Sequence, residues 1–136
     1  MTAGHQQIVD VSAALIFHDG KLLITQRHAN SHLGGLWEFP GGKRDANETF
    51  EECLAREIQE ELGMEILVGK LFEEITHAYE VKNVHLKFFI CQWIGGGPIT
   101  LDCAAFKWIC KSELAAYPFP EADARLLEKL RASELF

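Results

Sequence analysis

The sequence predicts an α+β fold, a mixed β-sheet packed against helices, on three observations. Residues 8–17 and 21–27 read as two strands joined at His18-Asp19-Gly20, where Asp-Gly is the strongest short hairpin signal. Phe50, Leu54, Ile58 and Leu62 recur every four residues and form one apolar stripe along a helix. The elements follow in the order strands, helix, strands, helix. No internal repeat, low-complexity tract or long linker interrupts them, so residues 1–136 are expected to form one domain.

Local signals then place each element. Residues 28–36, rich in His, Asn, Ser and Gly, read as a loop. Trp37-Glu38-Phe39 leads into Pro40-Gly41-Gly42, a run expected to interrupt any regular element. Thr49, with Glu52 three positions on, fits a capping box for the helix, and Gly63 supplies the left-handed stop after Leu62. Residues 66–75 and 84–93 look like further strands with the turn at 79–83. Gly95-Gly96-Gly97-Pro98 is a loop and residues 106–110 a short strand. Ser112 is placed to cap a brief helix over 113–116. After Pro118 and Pro120 a last helix carries Leu126, Leu127 and Leu130.

Composition narrows the function classes. With 136 residues, 48% of them hydrophobic, the chain is long enough to bury a sizeable core. No apolar run reaches the roughly 18 residues of a membrane span. Residues 1–7 lack the basic and apolar parts of a secretion leader, so a cytoplasmic protein without a membrane partner is expected. A net charge of −7 disfavours a nucleic-acid polymer as partner, because gripping that backbone calls for a basic surface. A small phosphorylated ligand stays open, since bound cations reverse the local sign. Cys53, Cys91, Cys103 and Cys110 form no C-x-x-C pair and read as small buried side chains.

The informative segment is GKRDANETFEECLAREIQEELGM, residues 42–64. A glycine-rich loop feeds a helix crowded with carboxylates. Glu57, Glu60 and Glu61 stand at i, i+3 and i+4 and converge on one patch bordering the apolar stripe. Three like charges this close raise one another's pKa. Arg56 relieves part of the repulsion. A divalent cation would relieve the rest, and hard oxygen donors suit Mg²⁺ or Mn²⁺.

The full spacing separates this helix from an ordinary solvated acidic face. Gly42, five residues, Glu48, seven residues, then Arg56-Glu57-Ile58-x-Glu60-Glu61-x-Gly63-Met64 matches the Nudix box at every defined position. A chance match in so short a chain is roughly one in ten million. The chain resembles the MutT-like branch of the Nudix family from about Val9 to Leu130. The run Gly35-Leu36-Trp37-Glu38-Phe39-Pro40-Gly41-Gly42-Lys43 is similar to that branch's approach to the box.

The resemblance implies a Nudix-type mixed β-sheet sandwiched between helices, the box forming loop, helix and loop. It also implies a magnesium-dependent hydrolase that splits a nucleoside triphosphate into monophosphate and pyrophosphate. The metal ligands it implies are Glu57, Glu60, Glu61 and the carbonyl of Gly41. Arg56 would orient the neighbouring carboxylates by charge-assisted hydrogen bonds, and Glu48 would support the box. Glu57 is the first candidate for general base, with Glu60 and Asp102 behind it. Asp102, six residues before Trp108, stands where the family usually has glutamate. A metal-binding or water-activating role and a loop-capping role both stay open there.

Three residues are candidates for holding the nucleoside. Arg27 matches an arginine that contacts the phosphates; the alternative is an exposed strand-end charge. Phe39 matches a residue lining the base pocket; the alternative is core packing. Asp123 aligns with a base-reading asparagine, and the alternative is an N-cap for the last helix. Ionised, Asp123 only accepts hydrogen bonds, which suits the amine of cytosine; the run from Pro118 to Ala122-Asp123 resembles that of CTP pyrophosphohydrolases. Protonated, it would donate to an oxidised purine such as 8-oxo-dGTP. Two rival readings remain. One is a Nudix hydrolase of another nucleoside diphosphate derivative, such as ADP-ribose or a dinucleoside polyphosphate. The other is a non-catalytic base-recognition module, which the intact set of box glutamates opposes. The sequence leaves oligomeric state open.

Overall fold

The computed structural model describes residues 7–80 and 82–136. Most of residues 1–7, on which the absence of a leader was read, lie outside the described residues.

Seven strands and two α-helices form the described chain: β1 Gln7–His18, β2 Lys21–Gln26, β3 Trp37–Glu38, β4 Gly41–Lys43, α1 Phe50–Leu62, β5 Met64–Ala78, β6 Lys82–Gly96, β7 Ala105–Ile109 and α2 Ala124–Ala132. The β1–β2 hairpin turns on Asp19 and Gly20, both at positive φ (50° and 74°), the geometry of a type I′ turn. α1 begins and ends as its sequence dictates. Thr49 and Glu52 complete a reciprocal capping box, and Gly63 closes the helix at φ 64°.

The sheet runs β3-β2-β1-β6-β5, with β4 added to β1 and β7 to β2. β1 and β6 are parallel from Gln7↔Lys82 to Phe17↔Gln92, whereas the other pairings are antiparallel. β1 pairs with β2 only beside the hairpin, at Phe17↔Leu22 and His18↔Lys21. The two strands then fork, and β3 and β4 occupy the fork by pairing with β2 and β1 respectively. This corrects the expectation for Pro40-Gly41-Gly42: Gly41, Gly42 and Lys43 are ladder residues opposite Ala13, Ser12 and Val11. Proline stays just outside the ladder, its carbonyl accepting from the Ala14 N–H at 2.8 Å.

Strand alternation splits the core in two. Ala14, Ile16, Leu23 and Phe89 face α1 through Leu54, Ile58 and Leu62. Ala13, Leu15, Leu22, Ile24 and Phe88 face α2 through Leu126 and Leu130. The sheet is therefore sandwiched between helices, as expected. At about 25 cal/mol per Å² of apolar area removed from water, these two faces are the main source of stability.

Other boundaries differ from expectation. β5 and β6 extend beyond 66–75 and 84–93, so Asn83 belongs to a strand and the turn is shorter than 79–83. The brief helix is a 3-10 helix, Lys111–Ala116, whose N-cap is Cys110; Ser112 lies inside it. Cys110 is consequently exposed while Cys53, Cys91 and Cys103 are buried, and all four are free. No helix among the described residues is long and apolar enough to cross a membrane.

Candidate active site

α1 presents Glu57, Glu60 and Glu61 along one edge, and Arg56 binds the first two together with Glu48 from the preceding loop. Its guanidinium donates to Glu48 through Nη2 at 2.6 Å and Nε at 3.1 Å, and through Nη1 to Glu57 and Glu60 at 3.1 Å each. Nη2 also reaches the Lys43 carbonyl at 3.2 Å, which ties α1 to β4. These charge-assisted bonds, with the Asp45 N–H on the same carboxylate, hold Glu48 down to a pKa of about 2.

Glu61 is placed differently. It is only 8% exposed, a charged side chain nearly closed off from water. Burial, then the charges of Glu38, Glu57 and Asp102, push its pKa up to about 9. Burial likewise raises Glu57 and Glu38, against Arg56 and Arg27 respectively. Glu60 is the exposed member of the set, its side chain 59% accessible.

One cleft is lined by Arg27, Glu38, Gly41, Glu57, Glu61 and Asp102. Asp102 stands on its rim with an exposed side chain, 3.5 Å from His28 Nε2. The capping alternative for this residue is met by the backbone. The N–H groups of Ile99, Leu101 and Asp102 donate to the carbonyls of Leu62 and Glu61, satisfying groups that the end of α1 leaves without partners. The loop carrying Asp102 is thereby fixed to the helix carrying Glu61.

Two adjacent glycines of β4 pack closely beside this site, and Gly41 lines the cleft. A Cβ on Gly42 would sit 2.3 Å from the Glu57 carboxyl carbon, and one on Gly41 would sit 1.9 Å from the Ser12 carbonyl oxygen. Close approach to strand backbone requires glycine at Gly41, whereas at Gly42 a Cβ would displace the Glu57 carboxylate from its place.

A second cavity opens toward α2, between the apolar sheet face of Val9, Val11, Val84 and Leu86 and the residues Phe39 and Asp123. Phe39 is both core and lining: it is 4% exposed, stacks on Phe119 (5.2 Å, 18°) and meets Phe88 edge-on. Asp123 ends a 3-10 turn and precedes α2, yet its side chain makes no capping hydrogen bond. It is 7% exposed, and burial followed by Glu38 pushes its pKa up to about 7. Arg27 is no loose strand-end charge. It donates to the His32 carbonyl at 2.6 Å and to Glu38 Oε1 at 2.9 Å. Arg27, Glu38 and Gly41 line both cavities, so the two adjoin.

Sequence reasoning missed Glu38, His32, Tyr79 and Lys82, which line the second cavity. Glu38 had a signal, a lone acid between Trp37 and Phe39; His32 and Tyr79 lie in separate loops and Lys82 at the start of β6, and folding alone brings them to one cavity.

As the side chains stand, no three His, Cys, Asp or Glu among the described residues converge tightly enough to form a metal centre. The donor chemistry nonetheless fits a hard divalent cation. A buried carboxylate, Glu61, lines a cleft together with Glu57 and Glu38.

Residues 12–129 match the NUDIX domain. The chain belongs to the Nudix family. It is 36% identical over 126 residues to a CTP pyrophosphohydrolase of Escherichia coli, covering 93% of each chain. To an 8-oxo-dGTP diphosphatase of Haemophilus influenzae it is 35% identical over 127 residues, covering 92% of this chain and 93% of that one. The solution structure of the Escherichia coli ORF135 protein superposes with a TM-score of 0.83 at 36% identity, covering 96% of both chains. The protein is a Nudix hydrolase with the mixed sheet and helices of its structural neighbours. Its Nudix box, residues 42–64, spans the end of β4, a loop, α1 and the Gly63 stop.

Proposed function

We propose that this Nudix hydrolase is a magnesium-dependent nucleoside triphosphate pyrophosphohydrolase, converting (d)NTP and water to (d)NMP and pyrophosphate. One observation carries the reading: an acid-lined cleft adjoins an apolar cavity with a buried polar reader, and Arg27, Glu38 and Gly41 stand at the junction. Such a pair of cavities suits a ligand with a base at one end and phosphates at the other. The names of the two relatives, a CTP pyrophosphohydrolase and an 8-oxo-dGTP diphosphatase, support the same class.

Glu57, Glu60, Glu61 and the Gly41 carbonyl are assigned to hold Mg²⁺ or Mn²⁺, with Asp102 contributing from the rim. When bound, the cations neutralise triphosphate charge and acidify a water. Glu57 takes the proton of the attacking water. Its carboxylate is raised by burial yet held by Arg56, so it is basic and fixed in place. The water oxygen bonds to the β-phosphorus. The bond from that phosphorus to the oxygen bridging the α-phosphate breaks, and the electron pair leaves with the nucleoside monophosphate. Arg56 keeps Glu48, Glu57 and Glu60 oriented, and Arg27 offers its remaining N–H groups to the phosphates.

Asp123 reads the base. A pKa of about 7 gives it both forms near neutrality: protonated it donates to the carbonyl of an oxidised purine, ionised it accepts from the cytosine amine. The substrates proposed are therefore 8-oxo-dGTP-like and cytosine nucleoside triphosphates. The test is hydrolysis of oxidised and unmodified nucleoside triphosphates, ADP-ribose and dinucleoside polyphosphates, with and without Mg²⁺, with products resolved. Monophosphate and pyrophosphate from a triphosphate, only with the cation, is the expected result. Cleavage of ADP-ribose or dinucleoside polyphosphates alone would overturn the proposal.

A further inference from the structure

We propose that Tyr79 is the stacking wall of the base cavity and determines how tightly the nucleobase is held; the inference rests on the pyrophosphohydrolase reading above. A nucleobase offers two π-faces, and a cavity that grips it needs an aromatic ring with a face to spare. Phe39 and Phe88 line the cavity but are 4% and 2% exposed, closed in by their neighbours, and Phe39 already stacks on Phe119.

Tyr79 also lines the cavity, and it is only partly buried. It meets His32 at 5.5 Å and 78°, and His77 at 4.6 Å and 66°. Both contacts are T-shaped, so they fix the ring plane without stacking on it. The backbone anchors it too, the Tyr79 N–H donating to the Lys82 carbonyl at 2.8 Å across the β5–β6 turn. His32 in turn offers its carbonyl to Arg27, so the residue beside Tyr79 is also joined to the phosphate end of the site. Tyr79, Asp123 and Arg27 line the same cavity, so the ring and the base reader border one space. A base against Val84 and Leu86 would thus be covered by Tyr79, with its polar edge toward Asp123.

The experiment compares wild type with Tyr79→Ala, Tyr79→Leu and Tyr79→Phe on dCTP and 8-oxo-dGTP. Inhibition by the matching monophosphate and by pyrophosphate is measured alongside. Loss of one stacked base contact predicts a KM about tenfold higher in Tyr79→Ala and Tyr79→Leu, with kcat within about threefold. Monophosphate inhibition should weaken by the same factor while pyrophosphate inhibition stays unchanged. Tyr79→Phe keeps the π-face and should stay within about twofold of wild type. Tyr79→Leu keeps much of the bulk, so it answers the question if the alanine variant fails to fold. Unchanged KM in a folded Tyr79→Leu, or equal weakening of pyrophosphate inhibition, overturns the assignment. A wild type that hydrolyses no nucleoside triphosphate overturns the pyrophosphohydrolase reading instead. Calorimetric binding of the monophosphates to wild type and Tyr79→Leu then decides Tyr79 separately: equal affinities reject its role and weaker binding by the variant supports it.

Discussion

Arg27 donates through Nη1 to Glu38 Oε1 at 2.9 Å, and this pair stands where the acid-lined cleft and the second, more apolar cavity adjoin. Burial already raises the Glu38 pKa against the pull of Arg27. Arg27→Ala would leave that carboxylate without its cation beside Glu61, a loss of about 1–3 kcal/mol in urea denaturation at neutral pH. Adding Glu38→Gln should recover most of the stability and none of the activity, because the phosphate contact is still missing. Full activity in the double variant would contradict the role given to Arg27.

Glu61 is expected to separate metal binding from folding. Its folded pKa of about 9 lies above its ordinary value, so the stability it contributes is present at low pH and is lost as pH rises toward 9. Glu61→Gln stays neutral and should match or exceed the cation-free wild type in thermal melting at pH 8. The same variant should lose the rise in Tm that Mg²⁺ gives wild type, and hydrolysis should drop by more than about 100-fold. A normal response to Mg²⁺ would remove Glu61 from the ligand set.

The two adjacent glycines should fail in different ways. The Cβ of Gly41→Ala meets strand backbone at Ser12, which cannot yield cheaply, so the β1–β4 pairing should weaken by about 1–3 kcal/mol. The Cβ of Gly42→Ala meets the end of the Glu57 side chain, which can swing away. That variant should fold with near-normal stability and lose kcat. Denaturation and steady-state kinetics run in parallel distinguish them; an active Gly42→Ala would argue against Glu57 as base.

Specificity should shift with pH through Asp123. Its pKa of about 7 means the donor form prevails below neutrality and the acceptor-only form above it. The ratio of kcat/KM for 8-oxo-dGTP over dCTP should therefore fall as pH rises from 6 to 8. Asp123→Asn keeps a donor and an acceptor at every pH and should flatten the profile. A pH-independent ratio in wild type would remove Asp123 as the reader of both bases.

Much of the site was legible before folding, because its signals are local. Thr49, Glu52 and Gly63 fix α1 through hydrogen bonds within a few residues, and Asp19-Gly20 fixes the hairpin through backbone conformation alone. The spacing of Glu57, Glu60 and Glu61 follows from helix geometry. Their division was not legible: which acid meets Arg56 and which lies buried depends on β4 and on the loop of Asp102 packing against α1. Gly41-Gly42 read as an interruption because turn propensity is local, whereas the ladder to β1 joins residues about 30 apart in sequence.

The sequence by itself determined an α+β chain of the Nudix family with an acidic, capped helix, since these follow from periodicity, caps and residue spacing. Only the tertiary structure decided that β1 and β2 fork, that β4 fills the fork, and that Arg27, Glu38 and Gly41 join two cavities there. It alone brought Tyr79 and His32 together across the mouth of the second cavity. Those contacts depend on a parallel β1–β6 pairing and on burial of both sheet faces, which no local pattern encodes.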